Sequence, residues 1–195
     1  MSIPSTPADE HREMAAPFTR LVGAVPDDAW SAPSPVDGWS ARDVVRHLCE
    51  WFPAFLSAYA GVDLKAGPSV DEDPVGAWQS LDDQVQSLLE EPASGERTLA
   101  IPYADPMPLP RGIVQFFSGD VFMHAWDLAR ATGQDVALEP DRCAEMVAGM
   151  EPIEELMRSS GQFGPRVEVA ANADPQTRLL GFIGRDPAWR APAGS

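Results

Sequence analysis

Lysine is nearly missing from this sequence. Lys65 is the only one, and 14 basic residues stand against 30 acidic ones, for a formal net charge of −16. A surface of that sign repels nucleic acid and anionic membranes, and no basic patch interrupts it. Neither is therefore an expected partner. Cysteine is also scarce. Cys49 and Cys143 form no CxxC pair, which points to buried thiols and not to a disulfide framework. No apolar run is long enough to cross a bilayer, and "MSIPSTPADEHREM" lacks the basic start and apolar middle of a signal peptide. The expected location is the cytoplasm. There is no glycine-rich phosphate loop, no nucleophile elbow and no internal repeat.

What is present is helical periodicity. With 44% apolar and 23% charged residues, a chain of 195 has enough material for one domain with a real core. Met14, Phe18, Leu21, Val22 and Val25 predict a helix over 7–25, with Pro17 as a possible kink. Residues 26–39 read as a loop. Ser40 with Asp43 three positions on resembles a capping box and opens a second helix, which Gly61 ends. A third helix follows Pro74 and closes at Pro92. "RTLAIPYADPMPLP" reads as a short β excursion. A fourth helix spans about 111–131 with Gly133 as its cap, and a fifth segment covers about 139–159, bent at Pro152. "RVEVA" reads as a short strand, and a last helix starts at Asp174-Pro175. The fold expected is mainly all-α: an antiparallel four-helix bundle over 1–160, with a small C-terminal strand/helix appendage over 161–195. A monomer or a homodimer is compatible with it.

The fourth helix poses a chemical question. Asp120, His124 and Asp127 are offset by four and seven, so they share one side with Ile113, Phe116 and Phe117. Charged groups on a core-facing side need partners. Only three histidines exist. His47 lies beside the apolar stripe of the second helix, one turn before Trp51, and His11 lies in the first turn of the first helix, where exposure by fraying is expected. His47, Asp120 and His124 together form a two-histidine, one-carboxylate set. Facing helices of bundles build metal sites this way, with a coordination position left open for zinc, nickel, iron or manganese. The plain alternative is a hydrogen-bonded core histidine beside an i,i+4 Asp–His pair, and spacing alone does not separate the two.

Two further carboxylates flank the set. Asp127 either accepts from the far ring nitrogen of a ligand histidine or forms a salt bridge to Arg42 or Arg130. Asp43, one turn before His47, either caps its helix or orients His47, and Ser40 beside it favours capping. Cys49 points away from His47, and Cys143 reads as core.

At these residues the sequence resembles a known family. "GWSARDVVRHL" (38–48), "DVFMHAWDLARATG" (120–133) and "GRDPAW" (184–189) are similar to the mycothiol-dependent maleylpyruvate isomerase family, within the wider DinB/YfiT-like superfamily of metal-binding bundles. The resemblance runs over nearly the whole chain. It implies a four-helix bundle with a divalent metal, usually zinc, and carries His47 and His124 over as ligands. Family members often have Glu where this chain has Asp120. The isomerase itself has a larger C-terminal domain, so a short form is expected here and maleylpyruvate is not carried over as substrate. The implied function is a metal-dependent enzyme using mycothiol or a similar small thiol as co-substrate on an electrophile, by isomerisation or S-transfer. Two rival functions are a non-catalytic metal- or ligand-binding bundle, and a metal-dependent hydrolase with Asp127 as the candidate base.

Overall fold

The computed structural model describes residues 6–102, 104–159, 161 and 163–192. Of the two expected segments, 1–160 and 161–195, residues 1–5, 103, 160, 162 and 193–195 lie outside the described residues. The helices are α1 (Pro7–Gly23), α2 (Ala41–Ala60), α3 (Pro74–Glu90), α4 (Leu109–Gly112), α5 (Gly119–Thr132), α6 (Pro140–Met150), α7 (Glu154–Ser159) and α8 (Pro175–Phe182). Two short strands, β1 (Thr98–Leu99) and β2 (Met107–Pro108), pair antiparallel and form the expected β excursion. The architecture is mainly α. Among the described residues no helix is long and apolar enough to cross a membrane.

α1 and α2 each pack against both α3 and α5, so these four helices close a ring around the core. Trp78, Trp126, Phe18, Phe52 and Phe117 fill it, all essentially without solvent contact. Phe52 of α2 stacks on Phe117 with ring centroids 4.0 Å apart. The burial of such rings, at roughly 25 cal/mol per Å² of apolar surface, is the main force holding α2 against α5. The helix ends follow local chemistry. Ser40 and Asp43 exchange bonds in a capping box at the start of α2. Gly61 and Gly133, at φ 60° and 70°, end α2 and α5 in the left-handed region that a side chain disfavours.

Two expectations are corrected, while α1 is one helix that contains Pro17. Residues 166–170, expected as a strand, are not one: the Val167 amide bonds the Gly181 carbonyl at the end of α8, and no partner strand stands beside it among the described residues. The fourth predicted helix is not uniform, since Ile113–Ser118 between α4 and α5 is a π-helix. The wider turn holds one more residue than an α turn would.

α6 and α8 pack on each other outside the ring, and Trp189 lies against the core. The chain after α8 thereby returns to α5, where it meets the polar groups of the bundle.

Candidate metal centre

α2 and α5 are neighbours in the ring, and this brings His47 and Trp51 opposite Asp120 and His124. One ligand atom from each of His47, Asp120 and His124 lies within 4.8 Å of the others. His47 Nε2 is 3.1 Å from Asp120 Oδ2, and His124 Nε2 is 3.5 Å from Asp120 Oδ1. The imidazoles of His47 and His124 stand edge to face, 5.0 Å apart. The side chains grade outward: His124 is 7% exposed, Asp120 20% and His47 31%, so the open side is at His47.

A second ring of contacts fixes these groups. The Trp51 indole N–H donates to Asp120 Oδ2 at 3.0 Å. His124 Nδ1 is 2.9 Å from Asp127 Oδ2. Asp127 is buried and takes two bonds from Arg185, Nε to Oδ1 at 2.9 Å and Nη2 to Oδ2 at 3.1 Å. Trp39 stacks 5.9 Å from the His124 ring and lies 5.0 Å from that of His47.

These contacts decide how the centre meets a cation. With Asp127 accepting at Nδ1, the His124 Nε2 lone pair turns toward Asp120. The carboxylate then faces two ring nitrogens, and a lone pair opposite a carboxylate oxygen repels unless a proton or a metal ion lies between. Two imidazoles and one carboxylate suit zinc, and a carboxylate behind the far nitrogen of a ligand histidine is the usual support for such a ligand. The donor set fits a divalent metal.

The charges of the side chains themselves agree. Burial pushes Asp120 upward, but the charge of His124 and the bonds from His47 and Trp51 outweigh it and hold the carboxyl below its usual range. Burial also opposes the His124 charge, yet Asp120 and Asp127 outweigh it and raise the imidazole above its usual 6.5. Asp127 is held low, against burial, by His124 and Arg185. Folding therefore gains from a charged His124 fully below pH 6.5 and loses that gain as pH rises through the raised value. The carboxylates contribute above 3.8 and lose their contribution as pH falls through their lowered values. Metal-free protein is expected to lose melting temperature above pH 6.5, and zinc is expected to restore it there by replacing the proton. Thermal melts of wild type and His124→Gln between pH 5.5 and 8.5, with and without zinc, test this. Parallel curves for the two metal-free proteins would contradict it.

Other sequence expectations fall out as follows. Asp43 bonds Ser40 and Arg46, so it caps α2; no bond from it to His47 is seen among the described residues. The Asp127 salt bridge goes to Arg185, since Arg42 binds the Val70 and Asp71 carbonyls and Arg130 lies over the Trp126 ring. His11 is fully buried and not frayed. Thr6 caps its helix, His11 Nδ1 meets Ser118 Oγ at 2.9 Å, and Nε2 faces Asp82 at 3.2 Å without hydrogen-bond alignment. Burial pushes both thiols, Cys49 and Cys143, up to about 12, so neither is a ready nucleophile.

Three contributors escape a reading of spacing: Trp39, Trp51 and Arg185. Trp51 lies one turn after His47, and that offset was the available signal. Trp51→Phe keeps the ring but loses the donor to Asp120. It is expected to weaken metal binding about tenfold and to cost about 1 kcal/mol of stability. Competition with a chromophoric chelator measures the first; an unchanged metal affinity would show that the indole does not hold Asp120.

Comparison with known proteins matches these positions to a family. Two uncharacterized proteins of Mycobacterium tuberculosis, Rv0738 of strain ATCC 25618 / H37Rv and MT0763 of strain CDC 1551 / Oshkosh, are each 24% identical to this chain. The similarity spans 182 residues, 92% of this chain and 97% of each relative. No solved structure gives a significant match. A family description, the mycothiol maleylpyruvate isomerase N-terminal domain, matches residues 11–129. That stretch is more than half of the chain and contains His47, Asp120, His124 and Asp127, so the protein belongs to the mycothiol maleylpyruvate isomerase N-terminal domain family.

Proposed function

We propose that this protein is a divalent-metal-dependent enzyme of the cytoplasm that uses a low-molecular-weight thiol, mycothiol or a close equivalent, on a small electrophile. His47, Asp120 and His124 would hold the metal, zinc being the best fit to two imidazoles and a carboxylate. When bound, the metal supplies the means to keep the co-substrate sulfur as a thiolate at neutral pH. The thiolate would then add to the electrophile, for isomerisation by reversible addition or for S-transfer. The observation that carries this reading is the convergence of three ligand atoms within 4.8 Å, open at His47 and closed behind by Asp127 and Arg185.

The chain's own groups have separable tasks. Asp127 keeps the His124 proton at Nδ1 and leaves Nε2 free to face the centre. Trp51 fixes the direction of Asp120. Trp39 shields one flank of both histidines from water. The hydrolytic alternative needs a base beside the open side. Asp127 does not fill that role, because it is buried and both of its oxygens are engaged.

Metal analysis of protein prepared without chelators should find one equivalent of metal. Titrating the Co(II)-substituted form with a small thiol should then shift its visible bands through sulfur-to-cobalt charge transfer. Stoichiometric metal with no thiol response would leave storage or hydrolysis as the better reading. No stoichiometric metal would remove the enzymatic reading.

A further inference from the structure

Beside the metal centre lies a cleft of about 520 Å³ that the proposed chemistry does not use. Its walls come from two distant stretches: the loop from Ser31 to Ser40 before α2, continued by Asp43, and Trp189 with Pro192 after α8. None of His47, Asp120 and His124 lines it; Trp39 is the wall it shares with the centre. The loop is held in shape. The Ser34 amide bonds the Trp39 carbonyl at 2.8 Å, the Trp39 amide bonds the Val36 carbonyl at 3.0 Å, and Pro33 bridges Ser40. A concave site made of such backbone is largely formed before any ligand arrives.

The lining is chemically one-sided. Trp39 and Trp189, both half-buried, supply indole surface, and three prolines add apolar surface. Asp37 and Asp43 supply carboxylates, and no lysine, arginine or histidine lines the cleft. Asp43 shares its charge with Arg46, which is itself drawn toward Asp71 at 2.7 Å. Asp37 is exposed and makes no ion pair or hydrogen bond among the described residues, so its charge is free to act on a ligand. A carboxylate or phosphate ligand would find no cationic partner in the cleft, and the net charge of −16 opposes its approach. An ammonium group meets the opposite conditions: indole faces attract a cation, and a carboxylate at the rim completes the pairing.

We propose that the Trp39–Trp189 cleft is a binding site for an organic cation, an alkyl- or ring-bearing ammonium group seated against the indoles with its charge toward Asp37. The site goes beyond the thiol reading and stands whether or not a metal occupies the neighbouring centre. Its consequence is a charge rule for any small molecule that engages this flank of the protein: neutral or positive, not acidic.

The test compares three probes of similar ring size on the full chain by titration calorimetry, with and without zinc. They are benzyltrimethylammonium, benzyl alcohol and phenylacetate. The ammonium probe is expected to saturate at one equivalent and to bind about fivefold more tightly than the alcohol, in keeping with cation–π attraction at an open site. Phenylacetate is expected to show no binding. Trp189→Ala should weaken the ammonium probe about tenfold, and the exposed Asp37→Asn, which leaves folding unaffected, several-fold. Equal affinity for all three probes, tighter binding of phenylacetate, or an Asp37→Asn protein that binds the ammonium probe as wild type does would overturn the proposal. Loss of binding in Asp37→Asn with the Co(II) spectrum unchanged would support the cleft separately from the metal centre.

Discussion

His47→Ala should lose metal while keeping its fold. His47 is the most exposed of the three groups, at 31%, and leaves no deep cavity when truncated. Stability should change by less than about 1 kcal/mol. Metal affinity should fall by at least about a hundredfold, since even a contact behind a ligand is worth 10–100-fold and His47 would be a ligand itself. Any thiol-dependent activity should fall with it. Bound metal per chain after dialysis against a weak chelator, read beside a thermal melt, separates the two effects. An alanine protein that still holds one equivalent at wild-type affinity would take His47 out of the centre. Asp120→Glu is the informative companion. The extra methylene extends the carboxylate from α5 toward His47 on α2. Retained or tighter binding in that protein would identify Asp120 as a working, shorter ligand.

The largest loss of stability is expected from Arg185→Met. Asp127 is 1% exposed in its side chain, and Arg185 gives it two hydrogen bonds. Removing the guanidinium leaves the buried carboxylate with His124 as its remaining cationic partner, a change that costs up to about 3–5 kcal/mol. For a chain of this length that is a fall in melting temperature of roughly 6–20 °C. The double substitution Arg185→Met with Asp127→Asn should recover much of the loss, because the buried carboxylate that Arg185 serves is gone. Metal affinity should fall in the doubly substituted protein, since there His124 loses the charged acceptor that fixes its proton at Nδ1. A single-substitution protein that melts within 2 °C of wild type would mean that water reaches Asp127 and replaces the guanidinium.

Features written in one or two turns were legible in the sequence. Ser40 and Asp43 form their capping box from residues three apart, and Gly61 and Gly133 end helices where a left-handed residue is needed. His47, Asp120 and His124 were also within reach, because helical spacing puts the last two on one side and few histidines compete for the remaining place. The partner of Asp127 was not legible. Arg185 is 58 positions away and reaches the bundle only because α8 folds back over α6. His11 was misjudged for a similar reason: position in a first turn suggests fraying, but the contact that buries its ring comes from Ser118, 107 positions on, while the local Thr6 cap holds the turn. The alternation of "RVEVA" suits a strand, yet a strand needs an edge to pair with, and the end of α8 supplies a single carbonyl. The π turn left no trace in the hydrophobic pattern, because the segment is buried on most sides and one added residue hardly disturbs it.

That π turn bears on how the chain tolerates changes in its length. Losing one residue from a regular α-helix rotates everything before the gap by about 100° relative to everything after it. Between Ile113 and Ser118 the surplus residue is already present, and Gln115 there is exposed. A one-residue deletion at that point would relax the turn into ordinary α-helix instead of straining it. The long helix thus carries a single place where it can be shortened while Asp120 and His124 keep their bearing toward His47.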